Sequence, residues 1–204
     1  MTTFDREASG RRLRLAPSNC ALLIVDVQQR LAAAIPEGVM AGVEKNIKIL
    51  IDTAKQLEIP VLVSEQYPKG LGKTVERVEH ALGGVKTLHR WEKVEFSAVG
   101  NDAFAGLKIP RVEDQARPEW DQWIVCGMET HVCIYQTVRD ITGWGSTVHL
   151  VNDACASRTK SNWRTGLELA RDAGALVTST ETVVFDLLGR AGTPPFKALS
   201  QAIK

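Results

Sequence analysis

Trp123-Ile124-Val125-Cys126-Gly127-Met128-Glu129-Thr130-His131-Val132-Cys133-Ile134-Tyr135-Gln136-Thr137-Val138-Arg139 reads as a strand, a turn and the start of a helix. Residues 123–126 are a short apolar run, 127–132 turn the chain, and Cys133 opens a helical pattern that Gly143 closes, glycine being a common helix stop. A strand feeding directly into a helix is half of a βαβ unit. The stretch also carries chemistry. A thiol at a helix N-terminus faces orphan N–H groups and the positive end of the helix dipole. Both favour the thiolate, which is the nucleophilic form, so the expected state of Cys133 is an activated thiol. The same N–H groups suit the oxyanion formed when such a thiolate attacks a carbonyl.

Outward from this stretch the alternation repeats. Residues 21–25, Ala-Leu-Leu-Ile-Val, form a continuous apolar run of the kind buried on both faces of a parallel sheet. Helical periodicity over 39–57 precedes a second strand at 60–63. A short helix at 75–82 precedes a more polar third strand at 86–92. Residues 123–126 are the fourth strand, 147–151 the fifth and 176–179 the sixth. A helix over 161–173 joins the last two, and Pro195 opens a final short helix ending near Ile203. Strands alternating with helices imply right-handed crossovers and a sheet covered on both faces. In such sheets ligands bind beyond the carboxyl ends of the strands, near the switch in strand order.

Composition narrows the function. A chain of 204 residues with net charge +1 is one domain by size, with no electrostatic reason to seek nucleic acid or a membrane surface. No apolar run approaches the roughly 18 residues of a membrane span. Residues 1–18 are polar, mixing Arg11, Arg12 and Arg14 with Asp5 and Glu7, and read as a surface arm ahead of a single domain at 19–204. Cys20, Cys126, Cys133 and Cys155 show no C-x-x-C spacing, so reduced thiols and a cytoplasmic location are expected.

The strand ends hold the candidates. Asp26 follows five apolar residues, where a carboxylate is costly unless hydrogen-bonded or used; it suits a helix cap or a general base equally. Lys93 closes the third strand pattern, in Trp91-Glu92-Lys93-Val94-Glu95-Phe96-Ser97, and taken singly reads as a solvated side chain. Three such strand ends converge in a doubly wound sheet. His131 is a poor base for Cys133, because side chains two apart at a helix start diverge. Gln28, two residues past Asp26, and Gln66 and Tyr67, after the second strand, are candidates for the substrate pocket. Trp91, Trp120, Trp123, Trp144 and Trp163 read as core or subunit-interface residues. Cys155 reads as a buried strand-end residue.

Taken together, these segments resemble the isochorismatase-like cysteine hydrolases, in their isochorismatase domain-containing branch. The segment 22–28 is similar to that family's first strand and catalytic aspartate; Lys93 with Phe96-Ser97-Ala98 to its lysine motif; 127–133 to its nucleophile turn; and Asn152-Asp153-Ala154-Cys155 with Ser157-Arg158 to the segment after its fifth strand. The resemblance runs from about Pro17 to the C-terminus. It implies a three-layer αβα, Rossmann-like fold with a doubly wound six-stranded parallel sheet. It also implies an Asp26–Lys93–Cys133 triad, a cis peptide at Met128-Glu129, an oxyanion hole from the backbone N–H groups of Glu129 and Cys133, and a homo-oligomer. Ser64-Glu65-Gln66-Tyr67-Pro68 stands where nicotinamidases of the superfamily carry metal-binding histidines; no metal and no cofactor are expected.

The reading that follows is covalent hydrolysis of a small amide or related C–N bond through a Cys133 thioester. The rival is a non-catalytic oligomeric scaffold or redox sensor with a reactive Cys133. A dinucleotide-binding oxidoreductase would need G-x-G-x-x-G after the first strand, and the chain has Asp26-Val27-Gln28-Gln29-Arg30 there.

Overall fold

The computed structural model describes residues 10, 12–113, 115 and 117–203. Its centre is a six-stranded sheet, all neighbours parallel, in the order β3-β2-β1-β4-β5-β6. The strands are β1 (Cys20–Val25), β2 (Val61–Gln66), β3 (Leu88–Lys93), β4 (Gln122–Met128), β5 (Thr147–Ala156) and β6 (Leu176–Thr178). All residues of β1 and β4 are buried, because each lies between two strands and under helices on both faces.

The longer helices are α1 (Glu37–Leu57), α2 (Glu76–Leu82), α3 (Tyr135–Gly143), α4 (Lys160–Asp172), α5 (Thr180–Leu188) and α6 (Pro194–Ile203). Their mutual contacts sort them into two layers: α1 packs with α2, α5 and α6, whereas α3 packs with α4. In α1, Met40, Val43, Ile47, Leu50, Ile51 and Ala54 form one buried stripe at helical spacing. It ends at Glu58 in the left-handed conformation, φ 57°. The doubly wound three-layer architecture is therefore as expected, with β1 and β4 flanking the switch point.

Several boundaries differ from the sequence reading. β5 runs five residues beyond the expected 151, through a bulge in which β4 advances from Val125 to Gly127 while β5 advances from Leu150 to Cys155. The helix α5 is absent from the sequence reading altogether. Ser179 caps it by accepting from the Thr182 N–H, and Gly189 ends it at φ 65°. Of the polar N-terminal arm, residues 1–9 and 11 lie outside the described residues. The rest is fastened to the domain: Leu15 is buried, its N–H donates to Asp186 at 2.6 Å, and Gln122 holds Ala16 N–H and Arg14 C=O at 2.8 and 2.7 Å. Of the five tryptophans read as core or subunit-interface residues, Trp91 and Trp123 are buried, and ring contacts run from Trp91 through Phe104 and Trp144 to Trp123 and Trp120.

Candidate active site

Register brings the strand-end residues together. Val25 pairs with Ser64 on one side and Gly127 on the other, and Gln66 pairs with Lys93. Asp26 leaves β1 at φ 51°, a left-handed conformation that Asp tolerates better than most residues. Its N–H still donates to Ser64 C=O at 3.1 Å, so the carboxylate stays over the strand ends.

Asp26 and Lys93 form a fully buried ion pair, Nζ to Oδ2 2.6 Å. The Ser64 hydroxyl donates to Asp26 Oδ1 at 2.7 Å. Lys93 Nζ also donates to Gln66 Oε1 at 2.8 Å and to the carbonyls of Glu95 and Phe96 at 3.1 and 3.2 Å. The loop after β3 is anchored independently: Trp91 Nε1 donates to Ala98 C=O at 3.0 Å, and Ala98 N–H to Thr137 Oγ1 at 2.8 Å. Lys93 is thus a cross-brace of the site and not the solvated side chain that its sequence context suggests.

Cys133 sits inside a π-helical turn, Thr130–Ile134, that precedes α3. It lies close enough to the Asp26 carboxylate for each to act on the other's ionisation. The Glu129 backbone N–H is near enough to ease ionisation of the thiol, and the Met128–Glu129 peptide is cis. Glu129 C=O accepts from Val132 and Ile134 N–H at 3.0 and 3.2 Å. Two glycines permit this geometry. A Cβ on Gly127, at φ 124°, would lie 2.1 Å from Val25 O, and one on Gly166 of α4 would lie 2.5 Å from Thr130 C.

The electrostatics correct one expectation. Cys133 is only 5% exposed, and burial first, then the Asp26 charge, pushes its thiol up to about 12 against the pull of Lys93 and the Glu129 N–H. Cys133 therefore rests as a thiol and not the thiolate expected of a helix N-terminus, because desolvation outweighs the backbone donors. Burial likewise lifts Cys20 and Cys155 to about 12, and Cys126 well above its ordinary value. Only the neighbours of Cys133 set it apart. Burial also raises Asp26, while Lys93, Ser64 and Cys133 pull it back.

The pocket candidates separate. Gln28 is wholly buried, with Nε2 on the carbonyls of Gln66 and Gly72 at 3.0 and 2.6 Å and Oε1 on Gln66 N–H at 2.7 Å. Gln66 bridges Lys93 and Val94 C=O. Both carboxamides are spent on the scaffold, which sequence spacing does not reveal. Tyr67, at φ 36°, is half exposed and lines an open cavity of about 430 Å³ with Lys69, Lys93, Val94 and Asp102. His131 turns away from Cys133 to pair Nδ1 with Ser157 Oγ at 3.1 Å. Ser64 and Arg158 are site neighbours to which the sequence assigned no role. Ser64 was legible as the one hydroxyl in an otherwise apolar start to β2. Among the described residues, no group of three His, Cys, Asp or Glu side chains is placed to hold a metal ion.

Comparison with known proteins settles the lineage. A family model for the isochorismatase domain matches residues 20–182. The chain belongs to the isochorismatase family. Relatives in this hydrolase family include the secreted isochorismatase effector Isc1 of Phytophthora sojae, 34% identical over 200 residues, covering 97% of this chain and 90% of that protein. Isochorismatase domain-containing protein 2 of Xenopus laevis is 34% identical over 202 residues, 96% of this chain and 89% of that one. Among solved structures, the MAR1 ribonuclease of Caenorhabditis elegans superposes with TM-score 0.79 at 33% identity, over 93% and 92% of the two chains. The octameric YcaC hydrolase of Escherichia coli shares the fold, TM-score 0.76 at 19% identity over 93% and 90%. Among the described residues no helix is long and apolar enough to cross a membrane.

Proposed function

We propose that this isochorismatase-family protein is a cysteine hydrolase that cleaves a small amide or related C–N bond through a Cys133 thioester. The observation that carries the reading is the buried Asp26 carboxylate, braced by Lys93 at 2.6 Å and close enough to the Cys133 thiol to act on its ionisation. Asp26 takes the thiol proton as sulfur bonds to the carbonyl carbon, so no free thiolate need accumulate. The backbone N–H groups of Glu129 and Cys133 hold the resulting oxyanion. As the tetrahedral adduct collapses, the C–N bond breaks and Asp26 returns the proton to the departing amine. Water then attacks the thioester, gives its proton to Asp26 and its hydroxyl to the acyl carbon, and Cys133 leaves with that proton restored.

The buried, lifted thiol argues against the redox-sensing alternative, since sensor cysteines are exposed and of low pKa. We also propose that the chain self-associates as a homo-oligomer. Val94, Phe96 and Tyr67, exposed by 70%, 54% and 54%, lie just beyond the carboxyl ends of β2 and β3, and a second copy is the expected cover.

Intact-protein mass spectrometry after incubation with a panel of small amides, wild type beside Cys133→Ala, tests the enzymatic reading. An acyl adduct on wild type alone is the expected result. Amide hydrolysis surviving in the variant, or RNA cleavage by a wild type that never acylates, would overturn it.

A further inference from the structure

We infer that Arg158 is a positioning residue for the oxyanion-hole N–H of Glu129, an assignment that rests on the thioester reading. Arg158 follows the end of β5, and both its backbone N–H and its Nε donate to one oxygen, Glu129 Oε1, at 3.0 Å each. The carboxylate they hold is 9% exposed, whereas the arginine side chain is 57% exposed. A half-exposed cation therefore reaches in to fix a buried anion, and such charge-assisted bonds are short and directional.

What is fixed is the main chain of Glu129. Its N–H lies near enough to the Cys133 sulfur to ease the thiol's ionisation, and its C=O accepts from Val132 and Ile134 N–H, which shapes the π-helical turn. The side chain is the third tether, and it leads to a different strand. With all three in place, Glu129 cannot tilt its N–H away from the reacting sulfur without breaking a bond. Two further contacts prop the same turn from the same side of the sheet. Ser157 meets His131, and the α4 backbone approaches Thr130 so closely that residue 166 has no room for a Cβ. Neither of these touches Glu129. Arg158 alone among these props acts on the residue that presents the oxyanion donor.

Two electrophiles separate positioning from mere structural support. Acylation of Cys133 by p-nitrophenyl acetate passes through a tetrahedral oxyanion, with the thiol proton going to Asp26 and nitrophenolate leaving. Alkylation by iodoacetamide displaces iodide at a saturated carbon and forms no oxyanion. Removing an oxyanion donor outright slows acyl transfer on the order of a hundredfold or more, and mis-aiming one should cost less. In Arg158→Ala we expect acylation, read by nitrophenolate release and by peptide mass at Cys133, to fall about tenfold. Alkylation of the same thiol should stay within about twofold of wild type. Glu129→Gln keeps a carbonyl acceptor for both Arg158 donors, so it should lose much less acylation than Arg158→Ala. Should Arg158→Ala fail to fold, Arg158→Lys keeps the stem and the backbone N–H, loses the Nε bond and carries the same expectation.

Wild-type acylation rates in the Arg158 variants, or equal slowing of both reactions, would overturn the assignment. A wild type that alkylates at Cys133 yet never acylates there would overturn the thioester reading, and this assignment with it. That outcome is visible before any variant is compared.

Discussion

Asp26 is the residue on which the pH behaviour turns. Burial raises its carboxyl above the ordinary carboxylate value, and the proposed mechanism needs it ionised to accept the Cys133 proton. Activity should therefore be lost as pH falls through that raised value, at a higher pH than for an exposed carboxylate. A thiol lifted to about 12 should add no second rise near the ordinary cysteine value of 9. A kcat/KM profile measured from pH 4 to 10 checks both; a rise centred near 9 would mean that the thiol ionises freely. Lys93→Ala strips the buried carboxylate of its cation. Breaking such a pair costs about 3–5 kcal/mol, measurable by urea denaturation at neutral pH. The loss should shrink at low pH, where Asp26 protonates. Gly166→Ala places a methyl against Thr130 and His131 backbone and should cost about 1–3 kcal/mol while slowing acylation. Of these residues, Asp26 was legible in the sequence as a carboxylate ending an apolar run and Cys133 as a thiol opening a helix, whereas Lys93 joined them only through the family resemblance. The ionisation of Cys133 was not, because desolvation depends on how tightly α3, α4 and the loop after β3 close over it. Nor were the roles of Gln28 and Gln66: a glutamine after a strand looks the same whether it meets a substrate or a carbonyl.

Among the elements, β5 and α5 were the hardest to read. The apolar run of β5 stops at Val151, and Asn152-Asp153 looks like a turn. In the structure they form a bulge, and Asp153 Oδ1 accepts the Thr180 N–H and hydroxyl at 2.8 and 2.9 Å. The start of α5 is thus held by two groups, Ser179 as its cap and Asp153 from the neighbouring strand. Ser179→Ala should cost about 1 kcal/mol, and Asp153→Ala more, since it also leaves a buried hydroxyl unpaired. Thermal unfolding of the two variants tests that ranking. The cap and Gly189 were present as signals. What hid the helix was its short span and the β-branched Thr182-Val183-Val184 at its middle, which mimic a strand.

Across the whole molecule, the fold class was the most legible feature, because runs buried on both faces exclude most other architectures. The surface was the least legible. Val94 and Phe96 stand exposed beside the site, and covering them with a second copy predicts a concentration-dependent mass in light scattering coupled to size exclusion. Val94→Asp should shift that mass towards the monomer; an unshifted monomer in the wild type would remove the proposed association.

The sheet order also has a consequence for how the protein can be taken apart. Strands β1 to β3 lie on one side of the seam between β1 and β4, and strands β4 to β6 lie on the other. The seam divides the proposed triad as well: Asp26 and Lys93 belong to the first half of the chain, Cys133 to the second. Cut in the stretch between β3 and β4, the gene yields two fragments, neither of which holds both the proposed acid–base partner and the proposed nucleophile. Co-expressed, they form a complementation pair whose acylation at Cys133 reports that the halves have met.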